Sequence, residues 1–449
     1  MNAAFRRVDA PVPSDQPTVA LVIAGGEVWE DFLSTLGVSL DEFCLKGPGG
    51  WTLGYMDALM KAGFTTVVYF FSGEVREPVH YIQDGTGHRQ TVLPAPRFYM
   101  ALRHWFPTYG ELLRRPSPKG VRERVKAWLG SALTHSSTPA GLFARELRSA
   151  DCKAIIVQEY ETFRFDICVC LGHCLKLPVF GTFQGGTRET NLVSRLWKRK
   201  VIAGSDALFA AAGEEIERVK ACYGPDLRIC QVFNPVDVSH WHAEERQSVR
   251  TEMGVSDLTR LVVWHGRIDR EAKGLDILLD AWELVMGRGL VMDLRLILLG
   301  SGQDTEWLRG RMAVAPQNIF WQNRYETDRD RVRRFLAAGD VYAFPSRYEG
   351  FPVAPVEAMA CGLPVVAAAA SGVRDIFPRD GCGGVVVPVG DPSSFADALS
   401  RLIFDRDLSS SMGKQARQRV EKAFSLEAVG CQLAAAMGST LNRQARGRS

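Results

Sequence analysis

The chain has 449 residues, 46% of them apolar and 23% charged, and a formal net charge of +3. That length fits two large domains of ordinary globular composition, and the charge is too small to point to nucleic acid. No apolar run approaches the roughly 20 residues that span a bilayer, so any membrane contact is expected at its surface. The ten cysteines are scattered without paired spacing or a leader segment, and read as reduced thiols of a cytoplasmic protein.

Along the first half, apolar strand-like runs alternate with helical stretches, which argues for parallel α/β layers. The N-terminal residues 1–16 are polar. Strands are expected at 19–23, 66–71, 154–157, 179–182, 207–211 and 228–232. A glycine loop, Lys46-Gly47-Pro48-Gly49-Gly50-Trp51, precedes a helix over 52–62. Backbone N–H groups at such a helix start can cradle phosphate, although a glycine cluster alone is more often a plain turn. Asp84-Gly85-Thr86-Gly87 between alternating runs signals a hairpin over 79–93. Residues 97–126 then carry eight Lys or Arg against two Glu, with Phe98, Tyr99, Trp105, Phe106 and Tyr109 interleaved. The segment 97–133 reads three ways: an anionic membrane contact, an acceptor groove wall, or a solvated helix pair. The prolines at 107, 116 and 118 argue against one long amphipathic helix.

Gln158-Glu159-Tyr160-Glu161 follows one strand and Phe183-Gln184-Gly185-Gly186 another. Both fall at carboxyl strand ends, where open α/β sheets bind ligands. Glu159 or Glu161 is placed to orient an acceptor hydroxyl, with a structural role as the alternative. Cys168, Cys170, His173 and Cys174 lie in an apolar helical run, 165–177, without zinc spacing, and read as buried thiols.

The second half repeats the alternation, with strands expected at 261–264, 293–299, 319–321, 341–344, 365–369 and 384–387. The break falls near Asn234-Pro235-Val236-Asp237, expected to act as a hinge. His240 and His242 flank Trp241 just beyond it, in what reads as an exposed turn. Strand 261–264 runs into His265-Gly266-Arg267-Ile268-Asp269-Arg270-Glu271-Ala272-Lys273-Gly274, with a helix from Leu275. Gly266 permits a tight turn, and Arg267 and Lys273 are cations suited to developing phosphate charge. After strand 341–344 comes Pro345-Ser346-Arg347-Tyr348-Glu349-Gly350-Phe351-Pro352-Val353-Ala354-Pro355-Val356-Glu357. The seven-residue spacing is expected to put Glu349 at a cleft mouth and Glu357 about two helical turns further in. Two carboxylates can serve glycoside hydrolysis or hydroxyl recognition. Gly350 and Phe351-Pro352 favour close backbone approach in a stiff loop, and hence recognition.

These two segments resemble the donor-sugar signature of the retaining glycosyltransferases of family 4. The resemblance covers residues 17–440 and is specific in the second half. It implies α/β architecture of the GT-B kind, two Rossmann-like doubly wound domains facing across a deep cleft. An acceptor domain would occupy 1–235 with a crossover helix over 426–441. A nucleotide-sugar donor domain would occupy 236–425, and 442–449 a disordered tail. Arg267, Lys273 and Glu349 are then expected to be catalytic. Gly49, Gly50, Gly266, Gly350, Phe351, Pro352 and Glu357 would bind the donor, with Glu357 on the ribose and Gly49 and Gly50 over the diphosphate. Gln184 stands where many members have histidine, and glutamine cannot shuttle a proton near neutral pH. Gln184, Glu159 and Glu161 are therefore expected to touch sugar hydroxyls.

The implied reaction moves a hexosyl unit, with retention, from a nucleoside-diphosphate sugar to a hydroxyl of a glycan, a lipid-linked or a small acceptor. No cofactor and no divalent metal are expected. Asp328-Arg329-Asp330 and Asp405-Arg406-Asp407 look like metal-binding pairs, but they fall where helices begin and read as caps. Two rival readings compete: a non-catalytic nucleotide-sugar-binding subunit of a glycan-synthesis complex, and a phosphorylase using pyridoxal phosphate. The retained charged residues argue against the first, and the absence of a cofactor lysine against the second. The partners expected are the nucleotide-sugar donor and the hydroxyl acceptor, with no nucleic acid.

Overall fold

The structure is a computed structural model. It describes residues 5–8, 16–23, 28–36, 39–40, 43–44, 51–83, 87–105, 120, 129–130, 133–183, 192–243, 245–288, 292–314, 318–324, 326, 328–379 and 382–446. The chain divides into two compact units: 1–210 with 215–232 and 430–449, and 211–214 with 233–429.

The first unit holds a nine-stranded sheet. Its strands are β1 (Phe5–Val8), β2 (Thr18–Val22), β3 (Thr65–Ser72), β4 (Val79–Gln83), β5 (Arg89–Pro94), β6 (Cys152–Val157), β7 (Val179–Thr182), β8 (Ala207–Ala210) and β9 (Ile229–Gln231). The spatial order is β1-β4-β5-β3-β2-β6-β7-β8-β9. The run from β5 to β9 is parallel, whereas β4 returns antiparallel on β5, as the Asp-Gly signal predicts. The stretch 1–16, read as merely polar, contains β1, which pairs antiparallel with β4. An edge strand ladders on one side only, so it tolerates Arg6 and Arg7.

The second unit holds β10 (Arg260–His265), β11 (Leu294–Leu299), β12 (Ile319–Gln322), β13 (Val341–Phe344), β14 (Val365–Ala368) and β15 (Gly384–Val387). Their order is β12-β11-β10-β13-β14-β15, all parallel. This is the 3-2-1-4-5-6 winding of a dinucleotide-type fold, whose switch point lies between the first and fourth strands, here β10 and β13. Successive side chains face opposite layers: Leu261 and Val263 pack into one apolar cluster, Val262 and Trp264 into the other. Burial on both faces explains why these strands are continuous apolar runs rather than alternating ones. At the amino end, Asp340 accepts from Arg246 (2.7 Å), Arg260 (2.9 Å) and the Leu261 amide (2.7 Å), locking β13 beside β10.

Asp328 and Asp405 are helix caps, accepting from the amides of Asp330 and Arg331 and of Leu408 respectively. Two expectations need correction. The helix from Leu426 continues to Arg446, so residues 442–446 are not a disordered tail. Asn442 to Arg446 contain no glycine or proline, and nothing stops the helix before Gly447. In the helix Phe163–Leu175, Cys168 is buried but Cys170 and Cys174 are exposed. They lie two and six residues further on, on the helix faces turned from the sheet.

Candidate active site

At the second unit's switch point, the loops at the carboxyl ends of β10, β11 and β13 meet. After β10, Asp269 caps a short helical turn, Arg270–Lys273, by accepting from the Ala272 amide at 3.0 Å. Gly274 then closes that turn and opens the helix Leu275–Met286, as expected. Gly274 has φ +61°, and a Cβ built on it would lie 2.1 Å from the Pro345 carbonyl oxygen. Only glycine therefore lets the loop after β10 rest on the loop after β13.

Two further interactions fasten these loops. The Arg347 amide donates to the Ala272 carbonyl at 2.9 Å. The Arg347 guanidinium forks onto both oxygens of Asp276, each at 2.8 Å, at the start of the next helix. Burial alone would raise the Asp276 pKa, but the fork from Arg347 outweighs it and holds the carboxyl below its ordinary range. The loop after β11 joins them: the Ile268 amide donates to Ser301 at 3.0 Å and the Arg270 amide to Asp304 at 2.7 Å. A Cβ on Gly300 would stand 1.8 Å from the Gly266 carbonyl, so this crossing too requires glycine.

The fastening brings Lys273 to Glu349, Nζ to Oε1 at 2.7 Å. Arg267 lies on the same loop with its side chain 62% exposed and only a 3.4 Å approach to Asp269. Glu357 is on the helix Ala354–Ala360, in its first turn rather than two turns in. The loop after Glu349 continues to Val353, the residue before the helix, and Pro355 sits in the first turn, where a missing N–H costs nothing. Phe351 turns its ring into the apolar cluster beside Phe233 and Phe424. That anchors the Gly350-Phe351-Pro352 backbone.

One residue at this site was not singled out in the sequence: His265, the last residue of β10. Its Nε2 is 3.4 Å from Glu357 Oε2, and its Nδ1 is 3.2 Å from the hydroxyl of buried Tyr342. Its place as the final strand residue before Gly266 was the available signal.

In the first unit, Glu159 and Glu161 follow β6, which adjoins β2 at that sheet's own switch point. Both are buried, and Glu159 adopts φ +61°. Glu161 accepts from Arg218 at 2.7 Å and from the Tyr223 hydroxyl at 3.1 Å. Burial pushes its pKa up, with Arg218 opposing. Gly49, Gly50 and Gln184 lie outside the described residues, as does most of 97–133. Among the described residues, no three His, Cys, Asp or Glu side chains gather as a metal-ligand set.

The winding of both sheets and the loop arrangement define the class: the fold is GT-B. Residues 259–405 match the family model described as Glycosyl transferases group 1. The chain is 32% identical over 56% of its length to a D-inositol 3-phosphate glycosyltransferase of Xylanimonas cellulosilytica, and spans 61% of that protein. It is 28% identical over 76% of its length to a GDP-mannose-dependent monoacylated alpha-(1-6)-phosphatidylinositol monomannoside mannosyltransferase of Corynebacterium glutamicum, spanning 80% of it. Among solved structures, Anabaena HepE in complex with UDP superposes with a TM-score of 0.64 at 16% identity, over 94% of this chain and all of that one.

Proposed function

We propose that the chain is a retaining glycosyltransferase that moves a hexosyl unit from a nucleoside-diphosphate sugar to a hydroxyl acceptor. The observation that carries this reading is the meeting of Lys273 and Glu349 across the Gly274–Pro345 contact, with Arg267 on the same loop and Glu357 one turn into the next helix. Two cations beside two carboxylates fit a ligand that is anionic at one end and rich in hydroxyls at the other. The relatives named above, one of them GDP-mannose-dependent, and the UDP complex of HepE support a nucleotide-sugar donor.

In this reading Arg267 and Lys273 stabilise charge on the departing diphosphate. Glu349 and the backbone of Gly350, Phe351 and Pro352 hold the sugar, Gly266 gives the diphosphate close backbone approach, and Glu357 takes the ribose diol. The acceptor oxygen attacks the anomeric carbon on the face the diphosphate leaves. The bond to the phosphate oxygen breaks, and that oxygen takes the acceptor proton. No side chain forms a covalent link to sugar, and the two cations do the work a divalent metal would otherwise do. Acceptor recognition is assigned to the first unit, with Gln184, Glu159 and Glu161 as candidate sugar contacts, while Gly49 and Gly50 are assigned to the donor diphosphate.

The proposal extends to the setting: a cytoplasmic enzyme touching the inner face of an anionic membrane through 97–133. Among the described residues, no helix is long and apolar enough to cross a bilayer. Phe98, Leu102 and Trp105 are nonetheless exposed, at 56%, 46% and 66%, beside exposed Arg97. Aromatic rings with cations suit a headgroup layer. Co-sedimentation with phosphatidylglycerol but not phosphatidylcholine vesicles, lost on Trp105→Ser, is the expected result.

A panel of UDP-, GDP- and ADP-hexoses, read by nucleotide release with and without acceptor, tests the activity. Turnover of at least one donor is expected, with an α-configured donor giving an α-linked product. If no donor turns over and Lys273→Ala alters only nucleotide binding, the chain is a binding subunit instead.

A further inference from the structure

We propose that His265, held by Tyr342, is a positioning residue that fixes the Glu357 carboxylate in the orientation needed to grip both hydroxyls of a ribose. The inference deepens the proposed function and rests on its assignment of Glu357 to the nucleotide.

Three residues from adjacent elements are in line. Tyr342 is the second residue of β13 and pairs with Val263 of β10, two residues before His265. Its side chain is fully buried, and its ring meets the imidazole edge-on at 5.6 Å. Its hydroxyl reaches two atoms, His265 Nδ1 at 3.2 Å and the His265 carbonyl at 3.4 Å. On the other side of the ring, Nε2 stands 3.4 Å from Glu357 Oε2, with both side chains largely buried.

Proton placement follows from these contacts. A neutral imidazole bearing its proton on Nδ1 would turn the bare lone pair of Nε2 toward a carboxylate, lone pair against lone pair. With the proton on Nε2, that nitrogen faces Glu357 as a donor and Nδ1 accepts from the phenol. Burial raises the Tyr342 pKa well above its ordinary value, so the phenol keeps the proton it donates. The polarity of these contacts therefore runs from Tyr342, whose single proton is shared between His265 Nδ1 and the His265 carbonyl, through His265 to one oxygen of Glu357. Engaging Oε2 from behind limits rotation of the carboxylate. His265 leaves Oε1 and the second lone pair of Oε2 unengaged, the acceptors a vicinal diol requires.

The consequence is selectivity for ribose. A carboxylate held in one plane grips the 2′- and 3′-hydroxyls together, and a loosened one gains less from the second hydroxyl. The test is binding of UDP, GDP and ADP by calorimetry, followed by comparison of the tightest binder with its 2′-deoxy form. In the unaltered protein the ribonucleotide is expected to bind at least about tenfold more tightly. His265→Phe, which keeps the ring but neither nitrogen, is expected to weaken ribonucleotide binding about tenfold. It should also bring the ribo/deoxy ratio close to that of Glu357→Gln. His265→Gln places an amide donor near the Nε2 position and should recover most of the ratio. Tyr342→Phe should lie between. A general loss of packing would weaken both nucleotides equally and leave the ratio unchanged.

If Glu357→Gln loses the ratio while His265→Phe and Tyr342→Phe both keep it, the relay is wrong and the nucleotide reading stands. If Glu357→Gln itself binds like the unaltered protein, or no nucleotide binds at all, the assignment of Glu357 fails and takes the relay with it. Should His265→Phe not fold, Tyr342→Phe and His265→Gln decide the matter by the same ratio.

Discussion

The Nζ of Lys273 lies 2.7 Å from Oε1 of Glu349, although 76 residues separate them in the chain. The ammonium is thus placed by a carboxylate that the proposed reaction assigns to the sugar, while Arg267 stays exposed with only a 3.4 Å approach to Asp269. A donor entering this site would meet one cation already oriented and one exposed and lightly held.

Removing the oriented cation should therefore cost rate more than binding. Lys273→Ala is expected to lower kcat by about 10²–10³, the usual loss when one preorganised charge facing a developing anion is deleted. Steady-state release of nucleotide from the preferred donor measures it. An unchanged kcat with a raised KM would mean that Lys273 binds the ground state only.

The contact that makes the site possible is backbone on backbone. Gly274→Ala would force a Cβ to 2.1 Å from the Pro345 carbonyl, in a conformation with φ +61°. The left-handed backbone alone costs about 1–2 kcal/mol, and the loops must also part. Chemical denaturation is expected to show a loss of more than about 2 kcal/mol, together with loss of nucleotide binding. Gly310→Ala is the matched control: it lies in the helix Thr305–Val314 with nothing within 4 Å of its Cβ. It should stabilise by roughly 0.5–1 kcal/mol.

If Arg267 and Lys273 carry the leaving-group charge, chelation should leave the enzyme working. Activity after EDTA dialysis is expected to stay within about twofold of the untreated rate, since no step then lacks its charge partner. A loss restored by Mg²⁺ or Mn²⁺ would place a metal on the diphosphate and demote one of the two cations.

How much of this could be read from residues alone follows from burial and from distance along the chain. All six strands of the second sheet were legible: burial on both faces makes Leu261–Trp264 or Val341–Phe344 an unbroken apolar run, and the half-exposed edge strand Ile319–Gln322 still begins with three apolar residues. Phe5–Val8 was not, because an edge strand with two arginines carries no such signal. Arg267, Lys273, Glu349 and Glu357 stood out by local spacing. The partners that fix them did not: Arg347 on Asp276 spans 71 residues and Tyr342 on His265 spans 77. Glu161 reads in sequence as either an acceptor contact or a structural carboxylate, and only the fold shows Arg218 and Tyr223 closing on it. Glu357 was placed a turn too deep because spacing cannot reveal where a loop ends and its helix begins.

Acid should reach the first unit through Asp166. Its carboxylate is 2% exposed and takes Lys198 Nζ at 2.5 Å, Trp197 Nε1 at 2.9 Å and His135 Nε2 at 3.2 Å, with Lys198 equally buried. Burial by itself would raise the Asp166 pKa, but the hydrogen bonds from His135, Lys198 and Trp197 together outweigh it, and the folded value is lowered. A folded pKa below the unfolded one means that the unfolded chain binds the extra proton first. The stabilisation is then full above the ordinary aspartate value of about 3.9 and is lost as pH falls through the lower folded value. Asp166→Asn removes the charge and strands Lys198, so a loss of about 3 kcal/mol is expected near neutral pH. Denaturant midpoints measured from pH 7 down to pH 3 should show that gap constant above about pH 5 and narrowing below about pH 4. A gap that stayed constant through the acid range would mean that Asp166 does not ionise differently in the folded chain. The variant's cost would then come from packing alone.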